Sequence, residues 1–144
     1  MLGSTLIDVV NTVLEETRNY IYDEMNLRRS VACVEIRGIV RNSRGRMKCG
    51  FSYNTMIATG KAEADEEYRS FLQDHLHKGH LDLIAENKIP DISWENSPII
   101  LRRIVRRYDR DKYDYSIAVA ALGGTREENE TIVNTIIDGI PEIG

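Results

Sequence analysis

Cysteine and proline are scarce in this 144-residue chain, with two and three copies, and no apolar run approaches the roughly 20 residues of a membrane span. Cys33 and Cys49 are too few for a disulfide framework and lack the CxxC spacing of a zinc ribbon or redox motif. They read as reduced thiols with packing roles in a cytoplasmic protein. Little proline together with 42% apolar residues excludes a disordered chain. Aromatics make up only 7%, and no RNA-binding aromatic motif, glycine-rich phosphate loop or Gly-x-Ser-x-Gly elbow occurs. Internal repeats, low-complexity tracts and linkers are also missing, so the expectation is a single domain over residues 1–144. Residues 1–5 lack a basic segment, and Asp8, Asn11 and Glu15 interrupt the apolar residues that follow, which reads as a helix start and not a secretory signal.

What is present is patterning. After Ser4 or Thr5 as N-cap, Leu6, Val9, Val10, Val13, Leu14, Thr17, Tyr20 and Ile21 recur at helical spacing to about Met25. A β-branched run over residues 30–41, turn chemistry at 42–46, and alternation of Met47, Cys49, Phe51 and Tyr53 with polar or small residues read as a β-hairpin. Composition then predicts a second helix from Met56 to about His77, with Asp65 and Arg69 as an i,i+4 pair, interrupted at Gly79 and followed by a short helix before Pro90. Trp94, in an irregular connection, is expected to plug the edge of a core. Ser97-Pro98 resembles an N-cap followed by N1, and Ile100, Leu101, Ile104, Val105 and Tyr108 then favour a helix over 98–109. Residues 115–122 form an apolar strand ending at Gly123-Gly124. Thr125 and Glu128 make a capping box for a last helix that stops at Gly139. Mixed elements without regular βα alternation predict an α+β fold, a small antiparallel sheet covered by helices.

The net charge of -4 conceals a bipolar chain. Residues 28–48 carry seven basic side chains against Glu35 alone, and residues 97–112 carry six against Asp109 and Asp111. Everything else holds six basic and twenty acidic residues. Arg102, Arg103, Arg106, Arg107 and Arg110 offer guanidinium groups suited to a carboxylate or phosphate, and the turn Gly123-Gly124-Thr125 offers backbone N–H groups to an anion. Arg37, Arg41, Arg44, Arg46 and Lys48 add a second basic stretch that suits a nucleic acid or acidic protein. Such bipolarity also invites assembly into a homo-oligomer, basic faces meeting acidic helices. All three histidines fall between Asp74 and Asp82. On a helix His77 and His80 could share a metal with Asp74 while His75 points elsewhere, which keeps a small metal-assisted enzyme in view beside the plainer reading of a polar helix end with His near the C-terminal dipole.

The stretch from Ile117 through Leu122-Gly123-Gly124-Thr125 to Glu130 resembles the end of the GlcG/HbpS-like family of haem-associated proteins, an apolar strand, a glycine turn and a helix opening in Thr followed by acids. Val34-Glu35-Ile36-Arg37-Gly38 through Arg46-Met47 is similar to that family's hairpin, and Ser52 through Ala58 with Lys61-Ala62 to the start of its next helix. The likeness covers about half of the chain in separate pieces. In place of the family's central Pro/Gly-rich segment the chain has His75 to Trp94, no haem-contact residue carries over, and the family prefers a strand and hairpin over 99–121. The resemblance implies a small α+β domain that self-associates and binds haem or another small ligand. The leading expectation is thus a non-enzymatic domain that binds a small anionic or haem-like ligand. A module for nucleic acid or acidic protein is the alternative, and a metal-assisted enzyme the second.

Overall fold

The computed structural model describes residues 2–41, 47–85, 91–108 and 113–141. Helix α1 (Leu2–Asp23) leads into strands β1 (Val31–Arg41) and β2 (Met47–Ala58). A 3-10 turn (Gly60–Ala64) precedes helix α2 (Glu66–Ile84), and a small hairpin follows, β3 (Ser93–Trp94) and β4 (Ser97–Pro98). Strands β5 (Ile100–Tyr108) and β6 (Tyr113–Leu122) and helix α3 (Arg126–Asp138) complete the order. The class is α+β, as expected.

The main sheet has the order β2-β1-β6-β5 and is antiparallel throughout, with Val31 opposite Leu122 at one end of the central pair. β1 and β6 are apolar on both faces because helices cover both. Val34, Ile36, Ile117 and Val119 face α1 and α3, while Cys33, Ala118, Ala120 and Leu122 face α2. The small side chains on the second face let Leu72 and Leu76 of α2 seat against the sheet, each at most 1% exposed and contributing about 1.5–3 kcal/mol. Trp94 closes the edge of this second core, packed on Phe71 at 4.4 Å and edge-on to Tyr68 at 6.1 Å.

Residues 98–109 are the main correction, since Ile100–Tyr108 is a strand and not a helix. The repeat of two apolar residues and two arginines fits a helical stripe, yet on a strand it also places one apolar side chain and one arginine alternately on each face. Tertiary context decides, because the buried backbone of β6 needs ladder partners on both sides and β1 supplies only one. Ser97 accordingly caps no helix at this point. Its hydroxyl accepts from Gly123 N at 2.9 Å and donates to Gly124 O at 2.7 Å.

The second helix starts later than the composition suggests. Residues 56–58 belong to β2, Gly60 takes φ 53, and Asp65 is the N-cap, accepting from Tyr68 N at 3.1 Å. Asp65 pairs with Arg29 at 3.0 Å, and the same guanidinium holds Glu95 and lies 4.2 Å from the centre of the Tyr68 ring. Gly79 is buried inside a continuous α2, which runs to Ile84. The turn at 42–46 and Arg44 and Arg46 within it lie outside the described residues, as does Arg110. Of Arg41, Lys48 and Arg107 only the backbone is described.

At Gly123 the chain adopts φ 124, where a Cβ would lie 2.3 Å from Arg29 O and 2.7 Å from Ser30 Cα. Gly123→Ala is expected to lower unfolding free energy by about 2 kcal/mol or more through strain and backbone collision. Urea titration followed by circular dichroism measures it, and an unchanged midpoint would refute the close approach.

Candidate functional site

Three polar residues interrupt the apolar side of the sheet that α2 covers: Glu35 on β1, Ser116 on β6 and Arg103 on β5. Strand alternation sets them on the same face. α2 brings His77 and His80 down onto them, the two imidazoles one helical turn apart. His80, Ser116 and Glu35 are at most 1% exposed.

The carboxylate of Glu35 is the acceptor at the centre. His80 Nδ1 lies 2.8 Å from Oε1, Arg37 Nε 2.7 Å from Oε1, and His77 Nδ1 2.8 Å from Oε2. Burial by itself would raise the Glu35 pKa. The donors from His80, Arg37 and His77 outweigh burial and hold it down at about 2, so Glu35 is ionised at neutral pH.

In its neutral form His80 turns the proton on Nδ1 to this ionised acceptor, which leaves Nε2 to accept from Ser116 Oγ at 2.7 Å. Ser116 Oγ in turn accepts from Arg103 Nε at 2.6 Å. One chain of donors thus runs Arg103 to Ser116 to His80 to Glu35. His77 Nδ1 also stands 3.1 Å from Arg37 Nη2; with its proton directed to Glu35, that approach joins two donors and is no hydrogen bond.

Glu35, His80 and Ser116 have the order and spacing of an acid, base and hydroxyl triad, and the surroundings argue against nucleophilic use. Ser116 and His80 are both 0% exposed under α2, and Ser116 Oγ already accepts from a guanidinium. A substrate carbonyl does not reach it in this arrangement. The cluster instead fastens α2 to the sheet.

The arginines offered together as ligand-binding groups divide between the two faces of the sheet. Arg102 and Arg106 point to the α3 side, donating to Asn134 Oδ1 at 2.8 Å and to Ile140 O at 3.4 Å. Arg103 points to the α2 side, where burial lowers its pKa. Its Nε is fixed on Ser116, and no acceptor among the described residues bonds its two Nη groups.

The turn proposed as an anion cradle is internally satisfied. Gly123 N donates to Ser97 Oγ, Gly124 N to Asn129 Oδ1 at 3.0 Å, and Thr125 N to Glu128 Oε1 at 2.9 Å, within the expected capping box. His77 and His80 do converge, on Glu35 and not on Asp74. Among the described residues no group of three His, Cys, Asp or Glu side chains is placed to hold a metal.

A groove of about 400 Å³ between α1 and the 3-10 turn is lined by Arg18, Asn19, Tyr22, Asp23, Thr59 and Glu63, mostly polar walls with one aromatic ring. Comparison with known proteins finds no matching family model, curated protein or solved structure. The likeness to the GlcG/HbpS-like family therefore rests on its short motifs alone.

Residue-by-residue reading missed Glu35, Ser116 and the separate role of Arg103. A signal was there: a Glu amid Val31–Ile36 and a Ser amid Tyr115–Leu122 are polar interruptions of strands apolar on both faces, and such residues need buried partners.

Because the Glu35 pKa is depressed, its contribution to stability is complete above the ordinary carboxylate value near 4.5 and is lost as pH falls toward about 2. Glu35→Gln is expected to cost about 3 kcal/mol at pH 7 and to flatten the decline between those pH values. Urea unfolding across the range checks both, and a variant with the wild-type pH slope would refute the assignment.

Proposed function

We propose that this protein is a non-enzymatic binding domain for a small anion, a carboxylate or phosphate, taken by the guanidinium of Arg103. The observation that carries the reading is the anchoring of Arg103 by Nε alone, which leaves the outer fork of the guanidinium for a bidentate acceptor. The surroundings favour it further: Arg103 is partly desolvated, and there an added anion is worth more than on an open surface.

Val105 follows two residues along on the same strand face and is 44% exposed. It gives the ligand an apolar contact beside its charged head, so short-chain carboxylates are preferred over bare ions. His77, with its side chain 52% exposed, borders the cluster from α2.

The wider basic stretches support the nucleic-acid alternative less well. Arg29 is held by Asp65 and Glu95, Arg37 by Glu35, Arg102 by Asn134, and Arg28 stacks on Tyr22 at 3.7 Å. These cations are engaged within the fold and make a poor continuous track for a phosphate backbone.

Titration with butyrate and inorganic phosphate, followed by calorimetry or NMR, tests the proposal. Wild-type protein is expected to bind in the millimolar range or tighter, and Arg103→Ala to weaken binding at least about tenfold, the loss of one charge-assisted pair. Ser116→Ala should weaken it less, by releasing Arg103 from its anchor. Binding unaffected by Arg103→Ala, or no binding of either anion, would sink the reading.

A further inference from the structure

Arg69 of α2 buries its Nε without an acceptor among the described residues. Sequence spacing pairs it with Asp65, and Asp65 is near enough to feel its charge, yet that carboxylate is turned to Arg29 at 3.0 Å and to Tyr68 N at 3.1 Å. No carboxylate among the described residues stands within ion-pair distance of the Arg69 guanidinium. A buried N–H left unpaired is costly, and a cation in that position calls for an acceptor from outside the chain.

Arg69 borders a cleft of about 240 Å³ at the end of β2. Met56, Ile57 and Ala58 form its floor, α1 contributes Glu15 and Arg18, and the 3-10 turn contributes Glu63. The charges on its walls are unevenly spread. Arg18 lies 2.6 Å from Glu63 and 3.9 Å from Glu15, one guanidinium between two carboxylates, so the wall made by α1 and the turn keeps a net negative charge. The wall made by α2 presents Arg69 and is positive.

We propose that this cleft binds a free amino acid with an apolar side chain. The carboxylate pairs with Arg69, the ammonium with Glu15 and Glu63, and the side chain rests on Met56 to Ala58. A bare anion would meet Glu15 and Glu63 and a bare cation would meet Arg69, so the walls select a molecule that carries both charges. The volume is below that of pockets for drug-sized ligands, which suits a single amino acid. β2 and β5 are opposite edges of the sheet, so this cleft is separate from the anion site on Arg103.

Calorimetry and NMR of the full chain with L-leucine test the proposal, beside leucinamide, which lacks the carboxylate, and isocaproate, which lacks the ammonium. Leucine is expected to bind in the millimolar range or tighter and to shift amides of residues 56–58 and 63–69, leaving those of Arg103 and Ser116 in place. Each half-molecule should bind at least about tenfold more weakly. Arg69→Met keeps the aliphatic stem; it should weaken leucine at least about tenfold and leave the weak binding of leucinamide as it is, with unchanged circular dichroism. Should that variant fail to fold, Glu15→Gln serves in its place, since Glu15 is exposed, and it should weaken leucine while isocaproate binds no more weakly. Because shifts are read residue by residue, leucine at 56–58 supports this site whatever butyrate does at Arg103. No leucine binding, isocaproate bound as tightly as leucine, shifts centred on Arg103, or leucine binding that survives Arg69→Met would each overturn the proposal.

Discussion

A buried carboxylate needs donors, and that requirement at Glu35 organises one whole side of this protein. His77, His80 and Arg37 answer it directly, Ser116 and Arg103 indirectly through His80. Without the donors, the charge of Glu35 in the apolar layer between sheet and helix would be costly. With them, it fixes where α2 lies along β1 and β6, which imidazole nitrogens carry protons, and which way the Arg103 guanidinium points. The anion-binding proposal is a consequence of the same arrangement, since the last link of the chain has donors left over.

The two faces of the sheet are thus held by different physics. α1 and α3 pack through a continuous apolar cluster including Leu6, Val10, Leu14, Ile132, Val133 and Ile136. α2 packs through a smaller apolar cluster around Leu72 and Leu76 and through the polar network near its C-terminal end. Burial of apolar surface is insensitive to pH and tolerant of small displacements, whereas hydrogen bonds to a charged group have narrow geometry. The α2 face is the one with directional contacts, and directional contacts are what recognition of a small ligand requires.

Much of the fold was legible in the sequence. The first and last helices, the β1–β2 hairpin, the apolar β6, the capping box at Thr125 and the role of Trp94 all follow from local pattern, where periodicity and turn chemistry act over a few residues. Residues 98–109 were misread because an Ile-Leu-Arg-Arg-Ile-Val-Arg-Arg pattern satisfies both periods, and the deciding influence is the ladder that β6 requires, which is not local. The site was less legible for the same reason. His77 and His80 were grouped with Asp74, their neighbour in sequence, while their actual partner lies on β1, 45 residues before His80. A helix over 98–109 would give the arginines different neighbours, and the strand sends Arg103 to the face opposite Arg102 and Arg106.

Placement of β1 between β2 and β6 has a consequence for the order of events during synthesis. β1 pairs with β2 as soon as the hairpin has emerged, yet its other flank waits for a strand that comes almost last, and Ser30 Oγ reaches Leu122 O across 92 residues. Until then Glu35 lies on a half-built sheet whose apolar flank is open to solvent and to any other nascent strand. Domains with such long-range closure fold slowly and are exposed to misassembly while they wait. Glu35 therefore gains its most distant indirect partner, Ser116, only once β6 has been made.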